Sequence, residues 1–139
     1  SRSFLLLEQP WDAYNPDTPE IVADLASQGT RVIVAHPERQ FFFQEQPGLV
    51  EKLVEAGAWT QLNAGSLNGE YGQFVQKVAL ELIDRGLVHT IGSDSHNVQG
   101  RKPNLSHGYQ IIERHAGQEA LEAIRSRMAE IEAAAAAMR

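Results

Sequence analysis

The chain of 139 residues contains no cysteine. Disulfide bonds, iron–sulfur clusters and thiolate zinc sites are therefore excluded, and a reducing, cytoplasmic location is compatible with this composition. No apolar run approaches the roughly 20 residues that a helix needs to cross a bilayer. The net charge of −6 disfavours binding to nucleic acid and to anionic membranes. We therefore expect neither a membrane span nor a nucleic-acid partner.

What the chain does contain is enough apolar sequence for one packed domain over residues 1–139. Hydrophobic residues make up 42% of the sequence, a fraction too high for a disordered chain. The sequence begins at Ser1 without an initiator methionine or a signal-peptide pattern, and a strand-like segment follows almost at once, which is abrupt for the start of a domain. Residues 132–139 include an alanine run, which we expect to be a frayed helix end.

Strand-like and helix-like segments alternate along the chain. The predicted strands are Phe4–Leu7, Arg31–Ala35, Ala58–Leu62 and Leu87–Gly92. The predicted helices begin at Thr18, ending before Gly29, and then span Pro47–Ala56, Gly72–Arg85, Leu105–His115 and Gln118–Met138. Such alternation predicts an α/β fold with parallel strands, arranged in a sheet or a barrel.

Residues that bind hard metals follow three of the predicted strands. Glu8 follows the first strand, His36 the second, and Asp94 and His96 the fourth. Because the carboxyl ends of parallel strands meet at one edge, we expect these side chains to form a single metal site there. Imidazole and carboxylate without thiolate suit Mn²⁺, Fe or Zn²⁺, and such metals can polarise a phosphoryl oxygen and lower the pKa of a bound water.

Arginines follow both ligand clusters. Arg39 and Arg101 carry guanidinium groups whose geometry matches a phosphate, so we expect them to bind an anion beside the metal. Each candidate also has a structural interpretation. His36 can be a satisfied loop residue, Glu8 a solvated carboxylate, and the two arginines surface charges.

Other polar and aromatic residues are better explained by packing or solvent exposure. We expect this for His89, His107 and His115. The run Phe41–Phe43 is interpreted as core or interface. The segment Asn63–Gly69 is predicted to be a loop that either touches substrate or only joins two elements.

Four motifs occur in a fixed order, and together they resemble a known family. They are Leu-Leu-Glu-x-Pro, Val-Ala-His-Pro-Glu-Arg, Ala-Gly-Ser-Leu-x-Gly and Gly-Leu-Val-His-x-Ile-x-Ser-Asp-x-His-Asn. The set resembles the polymerase and histidinol phosphatase (PHP) superfamily. Within it, the match is to the bacterial manganese-dependent protein-tyrosine phosphatases of capsular and exopolysaccharide operons, the CpsB/YwqE type. The resemblance runs from about Phe4 to Ala116 and implies a distorted β/α barrel with a trinuclear metal cluster at its carboxyl rim.

The resemblance also implies roles for individual residues. The implied ligands of Mn²⁺, or alternatively of Fe, Zn²⁺ or Mg²⁺, are Glu8, His36, Asp94 and His96. Arg39 and Arg101 would bind the substrate phosphate. A metal-bridging hydroxide would attack phosphorus, which agrees with the absence of a cysteine nucleophile. The implied substrate is a phosphotyrosine protein, such as the tyrosine-rich tail of an autokinase.

The chain departs from the family's pattern before Glu8. Family members begin with a strand bearing His-x-His and contribute further His and Glu ligands there, and this sequence has no counterpart. It therefore resembles the carboxyl-terminal part of such a barrel, with the opening strands absent. We expect at most one metal or a weak partial site, little activity from this chain alone, and an exposed sheet edge suited to homodimer formation.

Three functions agree with the sequence. The first is a metal-dependent protein-tyrosine phosphatase. The second is another PHP-type phosphoesterase, acting on histidinol phosphate or nucleotides. The third is a non-catalytic, truncated barrel that serves as a binding or assembly module.

Overall fold

The computed structural model describes residues 2–93 and 105–137. Its centre is a sheet of four parallel strands that lie side by side in chain order. The strands are β1 (Ser3–Leu7), β2 (Thr30–Ala35), β3 (Trp59–Asn63) and β4 (Thr90–Gly92). Because all of them run in one direction, their carboxyl ends meet at one edge, which we call the carboxyl rim. The predicted α/β fold with parallel strands is confirmed.

Helices connect and flank these strands. They are α1 (Thr18–Ser27), α2 (Phe41–Glu45), α3 (Gly48–Glu55), α4 (Ala64–Leu67), α5 (Gln73–Asp84), α6 (Ser106–Ala116) and α7 (Gln118–Ala137). A short 3₁₀ turn, Pro37–Arg39, follows β2. Across residues 2–93 and 105–137, the structure has no helix that is long and apolar enough to span a membrane.

Two short helices lie where the sequence predicted none. The loop prediction for Asn63–Gly69 is wrong, because this segment contains α4. The side chain of Asn63 explains its start, since Oδ1 accepts a hydrogen bond from the backbone N–H of Gly65 at 2.8 Å and so caps the helix. The second, α2, is built on Phe41–Phe43. Phe42 and Phe43 are buried in the core, as the packing interpretation predicted, whereas Phe41 is 48% exposed.

The two faces of the sheet are covered at β2. Val32, Ile33, Val34 and Ala35 are each at most 4% exposed, although adjacent residues on a strand point to opposite faces. Burial of a whole strand in this way is typical of parallel sheets with helices on both sides. The helix α1 packs against β2, and α3 packs against β3. The core therefore holds the carboxyl end of β2 in a fixed position.

β1 is much less covered than β2. Leu5 is 47% exposed and Leu6 is 54% exposed, and these neighbours point to opposite faces of the strand. β1 is also one of the two edge strands of the described sheet. An uncovered edge strand can pair with another chain. Pairing with a second copy remains a prediction.

Candidate functional site

Glu8 and His36 lie together at the carboxyl rim. Glu8 directly follows β1 and His36 directly follows β2, and these two strands are hydrogen-bonded neighbours. Nε2 of His36 is 4.0 Å from Oε1 of Glu8. The His36 side chain is 15% exposed and that of Glu8 is 66% exposed, so the carboxylate reaches solvent beside a mostly buried imidazole. The two side chains are where the strand-end argument placed them, and their role as ligands stays a prediction.

The other three candidates cannot be placed in the same way. Asp94, His96 and Arg101 lie outside the described residues. β4 ends at Gly92, which pairs with Asn63 at the rim.

The backbone of His36 has an unusual conformation. Its φ of +34° lies in the left-handed region, and His36 is the one residue other than glycine with a positive φ in the described ranges. The N–H of His36 donates to the carbonyl oxygen of Gln61 at 2.7 Å, which fixes this conformation against β3. Left-handed residues of this kind concentrate at functional sites, where the surrounding structure holds them. The imidazole is thus directed by its backbone as well as by packing.

A buried carboxylate holds the turn that follows His36. Glu38 is 0% exposed, and its Oε2 accepts hydrogen bonds from the N–H of Asn63 at 3.0 Å and from the hydroxyl of Ser66 at 2.6 Å. Burial raises the pKa of Glu38, while these hydrogen bonds oppose the shift. The turn after β2 is therefore tied to the start of α4. Sequence analysis gave Glu38 no role, although it lies inside the His-Pro-Glu-Arg motif.

Aromatic rings surround Arg39. Its guanidinium carbon lies over the ring of Tyr71 at 3.8 Å from the centroid and over the ring of Trp11 at 5.8 Å. The Trp11 ring also stacks on the His36 ring, with centroids 6.1 Å apart and planes inclined by 17°. Cation–π contacts of this kind restrict the motion of a guanidinium group. Sequence analysis missed both Trp11 and Tyr71.

A small cavity lies beside His36 at the ends of β3 and β4. It has a volume of about 30 Å³ and is lined by His36, Gln61, Leu62, Asn63, Gly92 and Ser93. The absence of a side chain at Gly92 leaves room for Gln61, because a Cβ there would lie 2.7 Å from its Nε2. The cavity is polar and large enough for a water or a small ion. It lies at the ends of β3 and β4, whereas Glu8 follows β1.

The donors at the rim fit a metal ion in part. Nδ1 of His36 is buried without a hydrogen-bond partner among the described residues. The 4.0 Å between Nε2 and the Glu8 carboxylate is too long for a hydrogen bond. It is short enough for both atoms to bind one ion, because such ligands lie about 2.0–2.2 Å from a metal. Residues 2–93 and 105–137 contain no group of three or more His, Asp or Glu close enough to hold an ion.

The other three histidines were expected to pack or to face solvent. The ring of His89 stacks on Trp59, with centroids 6.3 Å apart, and His89 lies next to the first residues of β3. His115 pairs with Asp84 at 2.7 Å near the surface. His107 is exposed on α6. The packing interpretation of His89 is therefore confirmed.

Comparison with known proteins shows the family of the chain. A family model described as capsular polysaccharide synthesis, CpsB/CapC, matches residues 1–131. The chain belongs to this family. The tyrosine-protein phosphatase YwqE of Bacillus subtilis is 34% identical over 116 residues, which are 84% of this chain and 46% of YwqE. The tyrosine-protein phosphatase CpsB of Streptococcus pneumoniae is 30% identical over 101 residues, covering 69% of this chain and 42% of CpsB.

A solved structure matches the fold as well. It comes from work on YwqE of Bacillus subtilis and CpsB of Streptococcus pneumoniae, described as unique metal-dependent tyrosine phosphatases, and it is 32% identical with a TM-score of 0.78. The match covers 87% of this chain and 49% of the solved chain. The chain therefore has the fold of part of the CpsB/YwqE type, as predicted, and it spans about half the length of the relatives that it matches.

Proposed function

We propose that the chain forms part of a metal-dependent protein-tyrosine phosphatase that acts in capsular or exopolysaccharide synthesis. The observation that carries the proposal is the meeting of Glu8, His36 and Arg39 at one rim, two potential metal donors beside one phosphate-binding cation. Family membership supports the reaction, since YwqE and CpsB are tyrosine-protein phosphatases. The same family description supports the role in capsule synthesis.

The metal would be held by the carboxylate of Glu8 and the imidazole of His36, with Asp94 and His96 as further ligands. We propose Mn²⁺, with Fe, Zn²⁺ or Mg²⁺ as alternatives, because the donors are nitrogen and oxygen without thiolate. When bound, such an ion polarises a phosphoryl oxygen and lowers the pKa of a bound water, which supplies the nucleophile. The residues of the chain orient these groups. Glu38 keeps the His36 turn against α4, and the left-handed backbone directs the imidazole.

Arg39 would bind the phosphate of the substrate. Its guanidinium lies over Tyr71 and Trp11, which limits its motion before the anion arrives. Binding to a preordered cation loses less side-chain freedom and places the phosphoryl group next to the metal donors. Arg101 would add a second guanidinium. Two such groups can balance the charge that gathers on the phosphoryl oxygens during transfer.

The substrate would be a phosphotyrosine protein in the cytoplasm, such as the tail of an autokinase.

A second copy of the chain is a candidate partner, through the uncovered edge of β1. If this pairing occurs, sedimentation will detect a dimer, and Leu6→Lys will shift it towards monomer because the change places a charge on the edge. A stable dimer without metal binding or hydrolysis would favour the non-catalytic assembly module instead.

The proposed activity is tested with Mn²⁺ and a purified protein that joins this chain to the family's opening strands, because the chain alone is expected to have little activity. A phosphotyrosine peptide, the matching phosphoserine peptide and histidinol phosphate are compared as substrates. We expect phosphotyrosine to be hydrolysed fastest and His36→Ala to reduce its rate at least about 100-fold. His107→Ala is the matched control, because it removes an exposed histidine from α6.

Each other outcome has a defined meaning. Faster hydrolysis of histidinol phosphate would point to another phosphoesterase of the same superfamily. Equal rates for His36→Ala and His107→Ala would show that hydrolysis does not depend on His36. Hydrolysis of none of the three substrates by the joined protein would count against a phosphatase role for this chain.

A further inference from the structure

Trp11 is an exposed tryptophan at the proposed site. Its side chain is 58% exposed, the second highest value among the large hydrophobic residues that the structure leaves open to solvent. It lies in the segment between β1 and α1, three positions after Glu8. Most tryptophans bury far more of their surface, as Trp59 does at 8% exposed. Trp11 therefore presents a large apolar face to solvent beside charged groups.

The ring of Trp11 lies against two residues of the proposed site. It stacks on His36 with nearly parallel planes, and the guanidinium of Arg39 lies over it at 5.8 Å. Tyr71 holds that same guanidinium at 3.8 Å. One tryptophan thus contacts both a proposed metal ligand and the proposed phosphate-binding residue. Its ring therefore lies beside both groups of the proposed site.

The chemistry of an aryl phosphate matches this geometry. In phosphotyrosine the ester oxygen is bonded directly to the ring, so a phosphate held by Arg39 next to the proposed metal ligand His36 brings the ring close to both residues. An indole beside both residues can then stack on the ring, since aromatic rings attract one another at centroid separations of about 4.5–7 Å. Phosphoserine and phosphothreonine offer no ring for this contact.

We infer that Trp11 is a substrate-contacting residue that gives the site its preference for aryl phosphates over alkyl phosphates. The inference rests on the proposed phosphatase function, because it uses the phosphate position which that function assigns. Tyr71 acts through Arg39 and is a positioning residue. Trp11 differs from it in having its own ring 58% exposed beside the proposed phosphate position.

Binding of two phosphonates tests the inference without any turnover. Phenylphosphonate and methylphosphonate carry the same head group and differ in the ring. Their dissociation constants are measured by calorimetry, with Mn²⁺ present, for the wild-type chain, Trp11→Ala and Trp11→Phe. Phe74→Ala is the matched control, because Phe74 is an exposed aromatic residue, 61% exposed, that lies on α5. Thermal unfolding of each variant is followed by circular dichroism.

We expect the wild-type chain to bind phenylphosphonate more tightly than methylphosphonate. Trp11→Ala should weaken phenylphosphonate by about 2- to 10-fold and leave methylphosphonate unchanged, because it removes one aromatic contact. Trp11→Phe should keep most of the preference, and Phe74→Ala should keep all of it.

Two results would overturn the inference. If Trp11→Ala keeps the wild-type preference for the phenyl group, the indole does not contact the ring. If it weakens both phosphonates equally, Trp11 acts by holding Arg39 or His36 and does not select the substrate. If neither phosphonate binds the wild-type chain, the proposed phosphate site itself fails, an outcome distinct from equal binding of both.

Discussion

Two histidines stack on two tryptophans at opposite edges of one sheet, and their surroundings make them different groups. At the carboxyl rim, His36 stacks on the exposed Trp11, faces the carboxylate of Glu8, and has a buried Nδ1 without a hydrogen-bond partner in the described part of the chain. At the amino edge, His89 stacks on the buried Trp59. Nδ1 of His89 accepts a hydrogen bond from the N–H of Thr60 at 3.2 Å.

The charges near each ring complete the contrast. Burial, together with the positive charges of the neighbouring Arg127 and Arg31, lowers the pKa of His89 to about 4. His89 is thus a neutral packing group with a satisfied nitrogen. His36 has a carboxylate as its neighbour, which suits a site for a cation. The same residue type, stacked in the same way, becomes a candidate ligand or a core residue according to its partners.

The largest expected effect concerns Glu38, which holds the rim together. Glu38→Leu removes the acceptor for two buried donors, the Asn63 N–H and the Ser66 hydroxyl. We expect the free energy of unfolding to fall by about 3–5 kcal/mol, measured by urea denaturation. Glu38→Gln keeps an acceptor oxygen and should lose less than half as much. Equal losses for the two variants would show that the negative charge, and not the hydrogen bonds, stabilises the rim.

A second experiment replaces His36 and His89 with glutamine, each in a separate variant. His36→Gln should weaken Mn²⁺ binding at least about 100-fold, since it removes a proposed ligand. His89→Gln should leave the affinity for Mn²⁺ unchanged, because His89 lies at the other edge of the sheet. Calorimetric titration of each variant with Mn²⁺ measures both. A similar loss of Mn²⁺ affinity in both variants would show that His36 is no more a metal ligand than His89 is.

The pH dependence of the free energy of unfolding tests whether His89 stays neutral in the folded chain. With its pKa lowered to about 4, His89 stays neutral in the folded chain, while the unfolded chain takes up a proton below about pH 6.5. Stability should therefore fall as the pH drops from 6.5 towards 4. The loss should be about 2 kcal/mol after allowance for partial exposure to solvent. Urea denaturation of the wild-type chain and His89→Gln across this range isolates the effect, because the carboxylates titrate in both. If the free energy of unfolding falls equally with pH in both proteins, His89 does not contribute to the pH dependence.

The smallest expected effect concerns the cavity beside His36. Gly92→Ala places a Cβ against the side chain of Gln61 and should lower the free energy of unfolding by about 1 kcal/mol. Gln61→Ala removes the obstructing side chain and keeps the carbonyl that accepts from His36, so Gly92→Ala should have no effect in that background. A double-mutant cycle measures the coupling. Additive effects would show that the two side chains do not compete for this space.

Much of the framework was predictable from local patterns. The predicted strands and the longer helices are present with similar bounds, except that β4 begins at Thr90 and not at Leu87. The short helices α2 and α4 were missed, because segments of four or five residues cannot display a helical period. The meeting of Glu8 and His36 followed from the rule that parallel strands end together.

The environment of those residues was not predictable in the same way. Glu38 bonds to residues 25 and 28 positions further along the chain, and Arg39 lies over rings at Trp11 and Tyr71. Such contacts depend on the packing of separate elements, for which no local pattern exists. The ligand roles of Glu8 and His36, together with those of Asp94 and His96, stay predictions, as do the phosphate contacts of Arg39 and Arg101.

The sequence by itself determined the alternation of strands and helices, the parallel direction of the strands, and the residue types that follow each strand. These properties depend on hydrophobic period, turn residues and order along the chain, all of which are local. Only the tertiary structure decided that Nδ1 of His36 is buried without a hydrogen-bond partner among the described residues while Nδ1 of His89 has one, and that Trp11 is exposed while Trp59 is buried. Burial and hydrogen bonding arise between segments distant in sequence, so they appear only when the chain is folded.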